Sequence, residues 1–280
     1  MKPYLIKEPN NNELYEALIV LNRSFGRLIP SDIDNQVKLL INLINLKIAK
    51  FLIAETNKKI FGLGAVFIFH DVCSIGYLSV LSEFRHKGVG TAIFGELINT
   101  AKKLGCKTFL LYASKLGEPI YHNFGFRSNY RTTVYEFPSK IPKMQNLNED
   151  VKIITSMPEW AAKLDRVTMG FDRCEFLKIK MSHGSKLIID ANEGYALISG
   201  LRIGPIIAKN LRTAVNLINR GISLGATHII VPKHMKFPNK LFNLIELTER
   251  ENEVNLRMIY GKNISQKLDN FYALGTYAKG

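Results

Sequence analysis

Apolar residues recur at helical spacing in two early stretches, NELYEALIVLNRSF (12–25) and SDIDNQVKLLINLINL (31–46), the second opened by a serine or aspartate cap. Three runs rich in β-branched and aromatic residues follow, KFLIAE (50–55), IFGLGAVFIF (60–69) and CSIGYLSV (73–80), with polar turns between them; they predict strands. A further helix is predicted from residue 92, with Ile93, Phe94, Leu97, Ile98, Ala101 and Leu104 on one face. Lys102 and Lys103 suit its last turn, and Gly105 supplies a left-handed cap. A strand KTFLLYA (107–113), a short helix EPIYHNF (118–124) stopped by Gly125, and a strand RTTVYEF (131–137) complete this half.

The segment FPSKIPKMQNLNED (137–150) combines two prolines with polar residues and little periodicity, as a linker does. It divides the chain into a first domain over 1–138, a linker over 139–150 and a second domain over 151–280. The second half echoes the first. KKLGCKTFLLYA (102–113) and ISLGATHIIVPK (222–233) superpose at an offset of 120, Gly105 over Gly225, each after an amphipathic helix, the later one NLRTAVNLINRGISL. The pattern fits duplication of one α/β unit.

Composition narrows the function classes. With 46% hydrophobic residues both halves can build a core. No stretch approaches the roughly 20 apolar residues of a membrane span, and the opening MKPYLIKEPNNN has no signal-peptide core, so a cytoplasmic protein is expected. Three scattered cysteines make no disulfide framework, and six histidines in no ligand spacing argue against a metal site. The net charge of +14 raises nucleic acid as a partner, but it is shared evenly between the halves without a basic block, as on a solvated surface.

Candidate chemistry concentrates at RHKGVGT (85–91), between a strand and a helix. The first N–H groups of a helix lack intrahelical partners and carry partial positive charge, so an anion fits there. Gly88 and Gly90 let backbone approach closely, Arg85 and Lys87 add charge, and His86, Val89 and Thr91 contribute main-chain amides. The spacing is neither that of a P-loop nor that of a dinucleotide fold.

RxxGxG after a strand, in YLSVLSEFRHKGVGTAIF, resembles the acetyl-CoA motif of the GCN5-related N-acetyltransferases (GNAT), with Val80, Arg85, Gly88 and Gly90 in register and Ser82 replacing a frequent proline. EPIYHNFGF resembles a second motif of that family, and the likeness covers residues 1 to about 137. It implies an α/β (α+β) fold of two tandem GNAT-like domains, each a mixed, mainly antiparallel sheet flanked by helices. It also implies acetyl-CoA as co-substrate and direct attack by a small-molecule or peptide amine in a ternary complex. The loop 85–91 would hold the pyrophosphate, Val80 backbone would pair with the pantetheine arm, and splayed strands 73–80 and 107–113 would admit the thioester. Tyr121 would protonate the leaving thiolate, two groups with ordinary pKa values of about 10 and 8.5.

The general base is a gap, since the strand 73–80 has no carboxylate; Glu55, the His70–Asp71 pair, or water passing Tyr77 or Ser79 are candidates. Cys106 reads as an inert thiol. Segments such as GYAL, GP and RMIYG in 155–280 resemble a degenerate GNAT-like domain lacking both RxxGxG and a counterpart of Tyr121. Asp165, Asp172, Arg173 and Arg257 there would line a ligand cleft or form ion pairs. A catalytically silent CoA-binding sensor is the competing reading, and a homodimer is compatible with the sequence.

Overall fold

The computed structural model describes residues 4–26, 28–138, 151–233 and 247–277. The linker expected at 139–150 therefore lies outside the described residues. Two compact units divide the chain between Leu111 and Tyr112, upstream of that segment and inside a strand.

In the first unit, β1 (Leu5–Lys7), β2 (Ala49–Thr56), β3 (Lys59–Phe69) and β4 (Val72–Val80) pair antiparallel in chain order, and β4 then pairs parallel with β5 (Thr108–Ala113). Helices α1 (Asn11–Ser24), α2 (Ile33–Asn45) and α3 (Val89–Lys103) pack on this sheet. A mixed, mainly antiparallel sheet with helices is the architecture the family resemblance implies. β3 is buried along Ile60–Phe67, which explains its unbroken apolar run. Gly62 and Gly64 make room for α3: a Cβ at either would lie 2.8 Å from an Ile93 methyl carbon. The α1 start is a full capping box, with Asn10 Oδ1 accepting from Glu13 N and Glu13 accepting from Asn10 N. The Ser or Asp cap expected for α2 is not made, because Asp32 at its N-cap instead accepts from the Gln36 side chain.

The second unit begins with the end of β5 and contains α4 (Glu118–Asn123), β6 (Arg127–Glu136), β7 (Val151–Ile154), α5 (Glu159–Met169), α6 (Cys174–Ser182), β8 (Lys186–Asp190), β9 (Gly194–Ser199), β10 (Arg202–Ala208), α7 (Leu211–Ser223), β11 (His228–Pro232), β12 (Thr248–Gly261) and β13 (Phe271–Ala273). Its strands run in the order β12-β6-β11-β10-β9-β8-β7, antiparallel except for β10 with β11. α7 buries Ala214, Leu217, Ile218 and Ile222 against Ile188, Ala196, Ile203 and Ile206.

The echo seen in sequence is an echo of structure. β4–α3–β5 and β10–α7–β11 are each a strand, a helix and a parallel strand, and Gly105 and Gly225 end the two helices at φ +88° and +96°. Such φ values belong to glycine.

Candidate active site

β4 and β5 part company midway. Their pairing runs from Val72 opposite Thr108 to Ile75 opposite Leu111 and ends there. Just beyond, Tyr77 takes φ +59°, and the register of β4 against β3 slips between Leu63 and Ala65. This bulge bends β4 just past the end of its pairing with β5. The Tyr77 ring packs against Phe51 and Phe67 at 5.6 and 5.9 Å, contacts that hold the left-handed backbone in place.

After β4 the chain makes a 3-10 turn over Ser82–Phe84 and enters the loop. His86 and Gly88 both lie in the left-handed region, at φ +60° and +74°, with Gly88 serving as the N-cap of α3. Alternating backbone hand of this kind forms a concave nest of amides. The glycine cap brings no side chain to cover the helix terminus, and no acidic residue stands in the first turn. What this arrangement offers is therefore main-chain N–H groups and helix-terminal partial charge for an anion. A Cβ on Gly88 meets nothing within 4 Å, so Gly88→Ala strains only the backbone. We expect it to cost about 1–2 kcal/mol in urea unfolding.

The cationic side chains do something the sequence did not reveal. Arg85 donates from Nε to Val80 O (2.9 Å) and from Nη2 to Ser24 O (2.7 Å), pinning the loop to the end of β4 and the end of α1. Lys87 Nζ donates to Glu83 O (3.0 Å) and lies 5.6 Å from the Phe84 ring centre, with Lys59 Nζ 5.7 Å from the same ring. Phe84 in turn stacks on Phe61 at 4.2 Å. Both cations thus donate to main-chain carbonyls that shape the loop.

Tyr121 sits on α4 and is buried. Gly117 leaves space for its ring, since a Cβ there would come 2.8 Å from Tyr121 Cε2. Burial pushes the phenol above its ordinary value, which widens the gap to a thiol that the sequence argument treated as narrow. Among the base candidates, Glu55 is bound to Lys7 (3.1 Å). The Asp71 carbonyl accepts from Lys107 and Thr108 N. Ser79 Oγ is buried on β4 with no partner among the described residues. Cys106 is buried beside Cys73; burial raises the Cys73 thiol, whereas the hydrogen bond with Cys73 lowers that of Cys106. No group of three or more metal-ligating side chains occurs among the described residues.

The second unit repeats the scaffold with both openings closed. β10 departs from β11 after Ile203, as β4 departs from β5, but β13 pairs with β10 at Ile206 and Ile207, and Leu274 bridges to Ile230. Gly204 faces that inserted segment so tightly that a Cβ would lie 2.0 Å from Leu274 O. The start of α7 is capped by Asn210, whose Oδ1 accepts from Thr213 N at 2.9 Å, where α3 has an open glycine. Asparagine in place of the glycine loop is the sequence signal for this closure.

This pair of related scaffolds, one open and one closed, belongs to the GNAT acetyltransferases. Two family models, both described as an acetyltransferase (GNAT) domain, match residues 47–128 and 161–273, so the chain is a member with two such domains. A candidate acetyltransferase from Pyrococcus horikoshii superposes with TM-score 0.90 at 25% identity, over 100% of this chain and 97% of that one. GCN5-related N-acetyltransferases from Sphaerobacter thermophilus (TM-score 0.62, 13% identity, 95% of this chain and 99% of that one) and Anabaena variabilis (0.60, 14%, 93% and 73%) share the fold. No curated protein matches the chain. Among the described residues no helix is long and apolar enough to cross a membrane.

Proposed function

We propose that the chain transfers the acetyl group of acetyl-CoA to an amine by direct attack in a ternary complex, using its first GNAT domain. The observation that carries this reading is the combination of a β4 bulge at Tyr77 with an uncapped, glycine-entered α3 at the end of the same strand. The amides of residues 86–91 bind the pyrophosphate, and Arg85 and Lys87 act by shaping the loop. Val80, at the end of β4, lies on the stretch assigned to the pantetheine arm. Acetyl-CoA supplies the activated acyl group; the chain's part is to hold it, exclude water and manage protons.

Tyr121 is assigned the proton donation to the departing thiolate from its place in the second motif. Its raised pKa keeps the phenol protonated at working pH, so it is always loaded as a donor. For the acceptor's proton, Ser79 Oγ on β4 has no hydrogen-bond partner among the described residues, and it would pass the proton to water. The closed second domain carries no acetyl-CoA of its own.

The test is release of CoA thiol from acetyl-CoA across a panel of amines. The wild type should release thiol only when an accepted amine is present, and Tyr121→Phe should lower kcat about 100-fold or more with acetyl-CoA affinity kept. Unchanged kcat in Tyr121→Phe would remove the acid role. The silent-sensor reading is favoured by the missing β4 carboxylate and requires tight CoA binding without turnover.

A further inference from the structure

Folding brings two cysteines of the first unit together. Cys73 is the second residue of β4 and fully buried; Cys106 stands in the turn between α3 and β5 and is 5% exposed. Far apart in the sequence, they become neighbours because β4 and β5 pair in parallel from the start of each strand. At that junction Lys107 N and Thr108 N both donate to Asp71 O, at 2.7 and 3.0 Å, and Cys106 N donates to Ala101 O at 3.0 Å. Cys106 Sγ lies 4.0 Å from His70 O, and its thiol is hydrogen-bonded to that of Cys73. Two thiols that already meet across neighbouring segments are placed for a disulfide.

The two sulfurs differ in a way that suits the two steps of such an oxidation. Burial holds the Cys73 thiol well above its ordinary value, whereas the hydrogen bond with Cys73 lowers that of Cys106. Cys106 is therefore the better nucleophile of the pair. It also lies just under the surface: residues 102–105 and 107 around it are exposed, as are His70 and Asp71 across the junction. Opening that one turn uncovers Cys106 to a small oxidant.

We propose that Cys73 and Cys106 are a reversible disulfide site, oxidised by a hydroperoxide. The Cys106 thiolate attacks the peroxide, forming an S–O bond as the O–O bond breaks, and the departing oxygen takes up a proton to leave as alcohol or water. The Cys73 sulfur then attacks the Cys106 sulfur; the S–S bond forms, the S–O bond breaks, and the Cys73 proton leaves with the hydroxide as water. Two thiols are oxidised and one hydroperoxide is reduced. The closed ring contains nearly all of β4, the loop 85–91 and α3, so the bond ties together both ends of the segment that carries the glycine loop. This inference is independent of the acetyl-transfer reading.

The test uses the full chain, reduced and then treated with hydrogen peroxide, and reads intact mass, linked peptides and thermal unfolding. Exposure alone would make Cys174, half-buried in the second unit, the first to react; the proposal expects the reverse. The oxidised chain should lose the mass of two hydrogen atoms, yield a peptide linking residues 73 and 106, keep Cys174 free and return to the starting mass with dithiothreitol. It should melt about 5 °C or more above the reduced chain. Cys73→Ala should stop at a sulfenic acid on Cys106 that dimedone traps, and Cys106→Ala should leave Cys73 unmodified at the same dose. If the buried Cys73→Ala fails to fold, Cys106→Ala and the wild-type peptide map decide the matter. Oxygen added first to Cys174, oxygen added to Cys106 of the wild type without a link to Cys73, or a linked chain no more heat-stable than the reduced one would overturn the proposal.

Discussion

Gly90→Glu should lose acetyl-CoA binding by about 100-fold or more while the protein becomes no less stable. Gly90 lies in the first turn of α3, one residue past the start of the helix, beside the amides assigned to the pyrophosphate. A carboxylate there puts like charge against the ligand: at about 4 Å and an effective dielectric near 20, the repulsion is about 4 kcal/mol. The same substitution favours the helix, since it replaces glycine, worth about 1 kcal/mol of lost propensity, and places an anion at the positive end of the dipole. Opposite signs for binding and stability separate a filled anion site from a damaged fold. A variant that keeps acetyl-CoA affinity, measured by calorimetry beside urea unfolding, would place the pyrophosphate elsewhere.

Asp165→Asn should destabilise the second unit by about 3–5 kcal/mol, a large part of the stability of a single domain. Asp165 lies near the end of α5 and Arg173 just before α6, and both are buried. Arg173 Nη2 meets Asp165 Oδ1 at 2.9 Å and Nε meets Oδ2 at 3.1 Å, while the Tyr195 hydroxyl donates to the same carboxylate. Burial alone would lower the Arg173 pKa, but the Asp165 carboxylate and Tyr195 outweigh it and hold the guanidinium above its ordinary value. The neutral amide leaves that cation buried without its counter-charge. Replacing both partners together, Asp165→Leu with Arg173→Met, should cost less than the single change, because no buried charge is left alone. A double change that costs as much as Asp165→Leu and Arg173→Met summed, in denaturant unfolding, would show that the pair is not coupled.

Much of the fold was legible because its signals are local. The apolar face of α3, the glycine stops at 105, 125 and 225 and the unbroken run of β3 each follow from a few neighbouring residues. The repeat was legible for the same reason, as one helix, glycine and strand pattern met twice. β6 begins four residues earlier than its apolar pattern suggests, because Arg127–Tyr130 is held by pairing with β12 far along the chain. β13 and its insertion beside β10 carry no strong pattern in three residues.

The site divides along the same line. Gly88 and Gly90 announce a close-approach loop by residue type alone. The hydrogen bonds of Arg85 and Lys87 depend on carbonyls at Val80, Ser24 and Glu83 that only folding brings near, so these loop-building contacts could not be read from charge in the motif. Tyr77 departs from the usual preference for glycine at positive φ and is explained by Phe51 and Phe67. Arg173 and Arg257 look alike in sequence; one is paired with Asp165, and the other faces Tyr130 and Gln266.

The measurement that bears most directly on the account is calorimetry of the wild-type chain with acetyl-CoA, CoA and ATP. One acetyl-CoA or one CoA should bind per chain, with ATP binding far more weakly, as expected for one open and one closed scaffold. No binding of either CoA species, or two equivalent sites per chain, would contradict it.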